Sequence, residues 1–283
     1  MEPSSAAGPR WHLPTLRSVV PFPAAAIPRP TVEHGTGMLH AELAAAAQLL
    51  AALAPQDWER RPGHGGLPIR DLVIRLILGS EEVGRNRKVL GPVSRSALPE
   101  YAMTDARRRH RTAELATAPP ERLITQLRFW GHEAEVAAPG GRRTPARQFR
   151  VGTPPGIFAD YLFRVLLARE AWLARGDIEE ATGRTASPGP HGAEIVRQAL
   201  RDLADAWAGP PVLVEITGPP AGLWLVGSAN ADEAVARMRT GAFWLVRQLT
   251  RGGDDPPDAT ARDPAITGDA AAASALLATR IPA

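Results

Sequence analysis

Two carboxylates in the second half of the chain have a spacing suited to acid–base chemistry. Glu170 and Asp177 lie seven residues apart, which places them on one face of a helix with Ala174 between them. In a functional interpretation, Glu170 acts as a general base, and Asp177 helps to orient it without contacting the ligand itself. In a structural interpretation, Glu170 only neutralises a nearby cation and Asp177 faces solvent. The spacing leaves both interpretations open.

Other polar and aromatic side chains are candidates for holding a substrate. Arg142 and Arg147 lie in a loop rich in Gly, Pro and Arg and could bind an anionic substrate, although a purely solvated loop has the same composition. Trp172 could stack on a ligand, but its helical spacing is more typical of a core residue. His132 is one of seven histidines, and with His40 it could reach the interior of a helical bundle.

The composition excludes several kinds of site. The chain has 283 residues and no cysteine, so disulfides, thiolate metal sites and a cysteine nucleophile are excluded. Any sulfur chemistry therefore needs a thiol brought by a cofactor or substrate. The formal net charge is only +3, and because Lys88 is the sole lysine, nearly all basic residues are arginine. This bias indicates a GC-rich genome rather than a polyanion partner. The basic run at 107–111 lacks aromatic neighbours, so we expect a solvated helix face and no nucleic-acid partner.

Hydropathy indicates a protein without a membrane partner. No stretch approaches the ~20 consecutive apolar residues of a membrane-spanning helix. The first residues also lack the basic-then-apolar order of a secretion signal. We therefore expect a cytoplasmic protein.

Apolar periodicity predicts a mainly helical fold. Helices are predicted at 39–53, 68–87 and 157–182, and a further helical stretch at 105–136 is expected to break near Pro119 and Pro120. Four such helices separated by loops are typical of a four-helix bundle, whose facing helices can build a ligand site in the core.

The two ends of the chain differ from this helical part. Residues 1–35 form a proline-rich arm, which is predicted to pack on the body or on a second subunit, so a homodimer remains open. Residues 36–187 are predicted to be the bundle. Residues 188–283 are predicted to form a small α+β domain. Its elements are a helix at 193–207, strands at 212–217 and 223–226, a helix at 232–251 and a final helix ending at 279.

Several short segments resemble the mycothiol-dependent maleylpyruvate isomerase family of actinobacteria. The two principal ones are residues 69–76 and 170–178. Weaker fragments occur in the same order as in the family: Asp57-Trp58, Thr153-Pro154-Pro155-Gly156, Ala181-Thr182-Gly183-Arg184 and Thr267-Gly268-Asp269. The resemblance implies a DinB-like four-helix bundle followed by a sterol-carrier-like α+β domain. It also implies a pocket in the bundle for mycothiol or another small thiol.

At the family's zinc site, this sequence departs from the family pattern. A histidine stands in the family at the positions of Arg75 and Ala174, and only the third ligand, Glu170, is kept. The resemblance therefore implies that Arg75 faces Glu170 and that an organic cation occupies the place of the metal, so no metal is expected. Such an arginine could lower the pKa of a bound thiol or bind a ligand carboxylate. Alternatively, Arg75 pairs only with Asp71, one turn earlier.

Three functional classes are compatible with this sequence. The first is a metal-independent enzyme of isomerase or transferase type, which acts on a small organic molecule, with mycothiol as a candidate cofactor. By analogy with scaffolds recruited in high-GC actinobacteria, it could serve secondary metabolism. The second is a non-catalytic small-molecule-binding protein that kept the fold and lost the zinc site. The third is a protein-interaction module that uses the arm and the basic run.

Overall fold

The computed structural model describes residues 20–63, 66–85, 105–136, 161, 165–218, 221–252 and 264–282. In this part of the chain, eight helices and one five-stranded sheet are present, so the protein is mainly helical. None of the described helices is long and apolar enough to cross a membrane. The predicted loop with Arg142 and Arg147 lies outside the described residues, as does most of the proline-rich arm.

The helices occur in the predicted order, and most of their bounds lie close to the predicted ones. They are α1 (Val32–Ala51), α2 (Ile69–Arg85), α3 (Asp105–Ala116), α4 (Pro120–Val136), α5 (Leu167–Ala181), α6 (Gly192–Ala206), α7 (Ala242–Arg251) and α8 (Ala270–Ala278). The break between α3 and α4 falls at the two prolines, as predicted. Helix α1 begins well before residue 39, because the hydroxyl of Thr31 accepts a hydrogen bond from the backbone N–H of His34 at 3.1 Å. Its first turns are polar, so apolar periodicity does not reveal them.

Four helices pack around one apolar core. Helix α1 packs on α4 and α5, and α2 packs on the same two helices from the other side, while α3 covers α2. The apolar faces predicted for α1 and α2 are buried: Leu39, Leu43, Ala46, Leu50, Leu72 and Leu76. The bundle therefore sets α2 and α5 side by side.

Helix α5 is the most deeply buried element of the bundle. Every residue from Leu167 to Glu179 is buried, including five charged ones. Its neighbours are the bundle helices α1 and α2 together with α6 and α7. Because a buried charge needs a partner, the neighbours of α5 have to supply countercharges.

The rest of the described chain forms a sheet flanked by helices. Its strands are β1 (Phe22–Pro23), β2 (Val212–Thr217), β3 (Gly222–Val226), β4 (Ala236–Gly241) and β5 (Ala265–Gly268), in the spatial order β1-β3-β2-β4-β5. The pairs β1/β3 and β2/β4 are parallel, whereas β2/β3 and β4/β5 are antiparallel. The predicted strands at 212–217 and 223–226 are thus present, while β4 and β5 were not predicted as strands.

The predicted helix at 232–251 is wrong in its first half. Residues Ala236–Gly241 are strand β4, and only Ala242–Arg251 are helical. Along β4, Ala236, Met238 and Thr240 are buried, and the two arginines between them are exposed. This alternation has the two-residue period of a strand, but the helical stripe drawn through Met238 and Ala242 also fits the sequence.

The described end of the proline-rich arm packs on the protein's own sheet and on α6. Strand β1 pairs in parallel with β3 at the edge of the sheet. Two side chains of α6, Gln198 and Arg201, donate hydrogen bonds of 2.8 and 2.7 Å to backbone carbonyls of the arm. Residues 20–31 therefore pack on the chain's own body, which is the first of the two predicted alternatives.

A single carboxylate joins the arm, the bundle and the C-terminal segment. Asp202 of α6 accepts hydrogen bonds from Arg29 at 2.6 Å, from Arg169 at 2.5 Å and from the hydroxyl of Tyr161. Arg169 is almost fully buried and also donates to the carbonyl of Pro282 at 2.8 Å. Burial lowers the pKa of Arg169, but Asp202 and Tyr161 outweigh it and raise that pKa, so the guanidinium stays charged. We call this group the Asp202 hub.

The Asp202 hub predicts a large difference between two aspartates of the same helix. Asp202→Ala is expected to lower the free energy of unfolding by about 3–5 kcal/mol, because Arg169 is left buried without its countercharge. Asp205→Ala is the matched control: this side chain is 46% exposed and pairs with Arg29 and Arg201 at the surface, so a loss of about 1 kcal/mol or less is expected. Urea denaturation measures both, and equal losses would contradict the hub.

Candidate functional site

Arg75 of α2 and Glu170 of α5 meet where these two helices pack together. Nη2 of Arg75 lies 3.5 Å from Oε1 of Glu170, although the residues are 95 positions apart in the sequence. Within the described residues, Arg75 makes no ion pair with Asp71, so the alternative pairing along α2 is wrong. The packing of the bundle therefore creates the pair.

The two partners differ strongly in exposure. The side chain of Glu170 is 10% exposed, whereas that of Arg75 is 44% exposed. Their hydrogen bond is single and long, unlike a bidentate arginine–carboxylate pair. It is also the only hydrogen bond that Arg75 makes within the described residues, while Glu170 has further interactions. Most of the donors of this guanidinium therefore remain available to a ligand.

The helical repeat of α5 explains why Glu170 faces α2. Glu170 and Ala174 lie one turn apart on the same face, whereas Arg175 and Glu179 lie on the opposite face. Arg175 and Glu179 pair with each other at 2.7 Å, and Arg175 also reaches Glu42 of α1 at 3.3 Å. Because both faces of α5 carry charges with partners on different helices, the rotation of α5 about its axis is fixed.

Asp177 connects α5 to α7. Its carboxylate accepts a hydrogen bond from Arg251 and lies 3.5 Å from Nη1 of Arg247, which also bonds Glu180 at 3.0 Å. The residue is fully buried, so the alternative that Asp177 faces solvent is wrong. Its ion pairs with two arginines of the C-terminal part hold the far end of the face on which Glu170 lies. A role in the chemistry stays a prediction.

Sequence reasoning missed the buried carboxylate of Glu42. One of its oxygens accepts from the backbone N–H of His191 at 3.0 Å and the other from Arg175 at 3.3 Å. Burial raises the pKa of Glu42, against the opposing effects of these two donors. Since both oxygens hold other parts of the chain, this group positions α1, α5 and the following loop. The available signal was the charged pair of Arg175 and Glu179, four residues apart on one face of a helix that also contains Trp172, Leu173 and Ile178.

Two predicted substrate contacts lie away from the pair. The ring of Trp172 is buried, with its centroid 5.2 Å from that of Phe243, and its indole N–H donates to the carbonyl of Pro188 at 2.9 Å. Trp172 is therefore a core residue, as its helical spacing also allowed. His132 and His40 do not reach the bundle core. They lie on the surface, 66% and 61% exposed, beside Glu135, because α4 and α1 turn these positions outward.

The basic run is only partly a solvated helix face. Arg111 of α3 lies 2.9 Å from Glu81 of α2, and Arg108 pairs with Glu82. Both glutamates are buried, so these two arginines neutralise acidic residues of the neighbouring helix. Part of the charge in this run is therefore used inside the protein.

Arg75, Ala174 and Glu170, at which the resemblance implies the zinc-ligand positions, do not fit a zinc ion. The guanidinium of Arg75 has no lone pair to offer, and Ala174 has no donor atom, which leaves Glu170 as a single carboxylate ligand. Within the described residues, no group of three His, Asp or Glu side chains is arranged to hold a metal. These residues instead place an exposed cation beside a buried carboxylate. Such a pair can bind an anionic group of a ligand.

The bundle and the α+β part together define a fold that is known from solved structures. Crystal structures of the mycothiol-dependent maleylpyruvate isomerase and of a mutant form of it match this chain with TM-scores of 0.56 and 0.55 at 14% identity. Each match covers 86% of this chain and 98% of the other one. No protein-family model matches the sequence, and no curated protein matches it significantly. At this identity the likeness establishes a shared fold.

The contact between Arg75 and Glu170 predicts a measurable coupling. We expect the losses of unfolding free energy in Arg75→Ala, Glu170→Ala and the double variant to be non-additive by about 0.5–1 kcal/mol, since one partner is buried and the other is half exposed. The control cycle combines Arg75→Ala with Asp71→Ala, for which additive losses are expected. Coupling in the control cycle and additivity in the first would overturn the assignment of the pair.

Proposed function

We propose that this protein is a metal-independent enzyme of isomerase or transferase type that acts on a small organic molecule. Its scaffold would be a DinB-like four-helix bundle followed by a sterol-carrier-like α+β domain. The observation that carries the proposal is the contact of Arg75 with Glu170 at the helix positions where the resemblance implies a ligand site. The solved structures support the same fold for both parts of the chain.

In this proposal, Arg75 binds the anionic group of the ligand. Glu170 holds one edge of the guanidinium from the buried side, and the exposed edge keeps its remaining N–H donors. This contact limits the positions that the guanidinium can take, so less side-chain entropy is lost on binding. The Arg75 guanidinium would stabilise either a carboxylate or a thiolate of the ligand. The guanidinium would also lower the pKa of a thiol beside it.

A small thiol such as mycothiol is the proposed second reactant. It would supply the sulfur nucleophile, which the chain itself lacks because it has no cysteine. Glu170 has two roles in this proposal. Its carboxylate anchors Arg75, and it accepts a proton from the ligand as a general base. Ala174, one turn further along α5, lies on the same helix face as Glu170 and is buried in the core.

Calorimetric titration of the chelator-treated protein with mycothiol tests the proposed site. We expect saturable binding near one thiol per chain, and a roughly 10- to 100-fold weaker dissociation constant in Arg75→Gln, because one charge-assisted hydrogen bond is lost. Arg239→Gln is the matched control, since this exposed arginine also pairs with a single glutamate, Glu215, but lies on β4. If no heat develops at millimolar thiol, or if Arg75→Gln binds as tightly as the wild type, the proposed thiol site is wrong.

A second test asks whether the two segments converge as the resemblance implies. Combining Arg75→His with Ala174→His would place two imidazoles beside Glu170, which is the donor set of a typical zinc site. We expect this double variant to bind about one zinc ion per chain in competition with a chromophoric chelator, and the added change Glu170→Gln to weaken that binding. A folded double variant without zinc affinity would show that the three positions do not share one site.

A further inference from the structure

A concave site lies between the arm, the neighbouring strands of the sheet and α6. It is a groove of about 480 Å³, a volume typical of pockets for small ligands. None of its residues belongs to the site of Arg75 and Glu170. Its lining consists of Val20, Phe22, Ile27, Pro28, Glu194, Arg197, Gly222, Leu223 and Trp224. We call it the arm groove.

The walls of the arm groove are apolar and held in place. Trp224 and Ile27 are buried, whereas Phe22 and Val20 are 49% and 82% exposed. Strand β1 aligns Phe22 with Trp224 through parallel pairing with β3. The hydrogen bonds from α6 to the carbonyls of the arm, and the pairing of Arg29 with Asp202 and Asp205, fix the other wall. The groove therefore offers a preformed apolar surface that a ligand could cover.

The rim of the arm groove carries one ion pair, between Glu194 and Arg197, and the two partners differ in how many of their polar atoms are hydrogen-bonded. One oxygen of Glu194 accepts from Nε of Arg197 at 3.1 Å, and the other accepts from Nε2 of Gln198 at 2.9 Å. Nη2 of Arg197 also lies 2.9 Å from Glu194. Both oxygens of the glutamate are thus engaged, whereas Nη1 of Arg197 makes no hydrogen bond within the described residues. The free donors on the rim belong to a cation whose side chain is 49% exposed.

We propose that the arm groove binds an amphipathic organic anion. The apolar body of the ligand covers Trp224, Phe22 and Leu223, and its carboxylate accepts hydrogen bonds from Nη1 of Arg197, which Glu194 holds in position. An apolar body alone would gain only from burial, whereas the anionic head adds a charge-assisted hydrogen bond. A cationic head would meet a glutamate whose oxygens are already engaged and an arginine that repels it.

Three ligands with the same tail and different heads test this site. Decanoate, decan-1-ol and decyltrimethylammonium are titrated below their aggregation concentrations into the full-length protein in a calorimeter. We expect saturable binding of decanoate, roughly tenfold or more tighter than decan-1-ol, and still weaker binding of the cation. Equal affinity for the acid and the alcohol, tighter binding of the cation, or no saturable heat with decanoate would each overturn the proposal.

Two substitutions assign the binding to this groove. Arg197→Gln should remove the preference for decanoate over decan-1-ol, while the control Arg239→Gln keeps it. Leu223→Trp should fill the groove and abolish binding of both ligands, while Val235→Trp, at an exposed apolar position outside the groove, leaves it unchanged. Arg197 is a half-exposed surface residue, so this variant remains informative even if Leu223→Trp does not fold. Decanoate binding that survives both groove variants would contradict the site, and since Arg75 and Glu170 are untouched, that result would leave the thiol titration unaffected.

Discussion

The burial of α5 is the constraint on which the rest of the structure depends. This helix places five charged residues in the interior, each of which would cost several kcal/mol without a partner. The countercharges come from different parts of the chain: Glu42 from α1, Asp202 from α6, and two arginines from α7. Any rotation or sliding of α5 would separate several of these pairs at once. The direction in which Glu170 points toward α2 is therefore a consequence of contacts made elsewhere.

This constraint gives the site its chemical character. A metal ion is held by coordination to several ligands, whereas a guanidinium is attached to its own backbone and is positioned by the contacts of its N–H donors. The single long contact between Arg75 and Glu170 leaves the cation half open to solvent, and the rigid framework around α5 prevents Glu170 from turning away. The proposed site thus combines a fixed carboxylate with a cation that a ligand can reach.

The sequence predicted elements well where local pattern decides them. The helices of the bundle follow apolar periodicity, and the prolines at 119 and 120 mark the break between α3 and α4. The sequence-based prediction failed at 232–251, where the chain forms a short strand followed by a helix. The apolar residues of these two elements have a spacing that also fits one continuous helix. The pairing of Arg75 with Glu170 is not encoded in their spacing and was expected only from the resemblance. Glu42 was missed because its burial depends on α5 and on the loop before α6, which lie far from it in the sequence.

The Asp202 hub also has a consequence for the order in which the chain is synthesised. Arg169 is made 33 residues before the carboxylate that neutralises it, and still further ahead of the carbonyl of Pro282. While α6 is still inside the ribosome, the emerging bundle would have to bury an uncompensated guanidinium or keep α5 exposed to water. Closure of the bundle around α5 therefore becomes more favourable once α6 is available and Asp202 can pair with Arg169. The arm joins the same carboxylate through Arg29, so the pairing of α5 with α6 also fixes the arm in place.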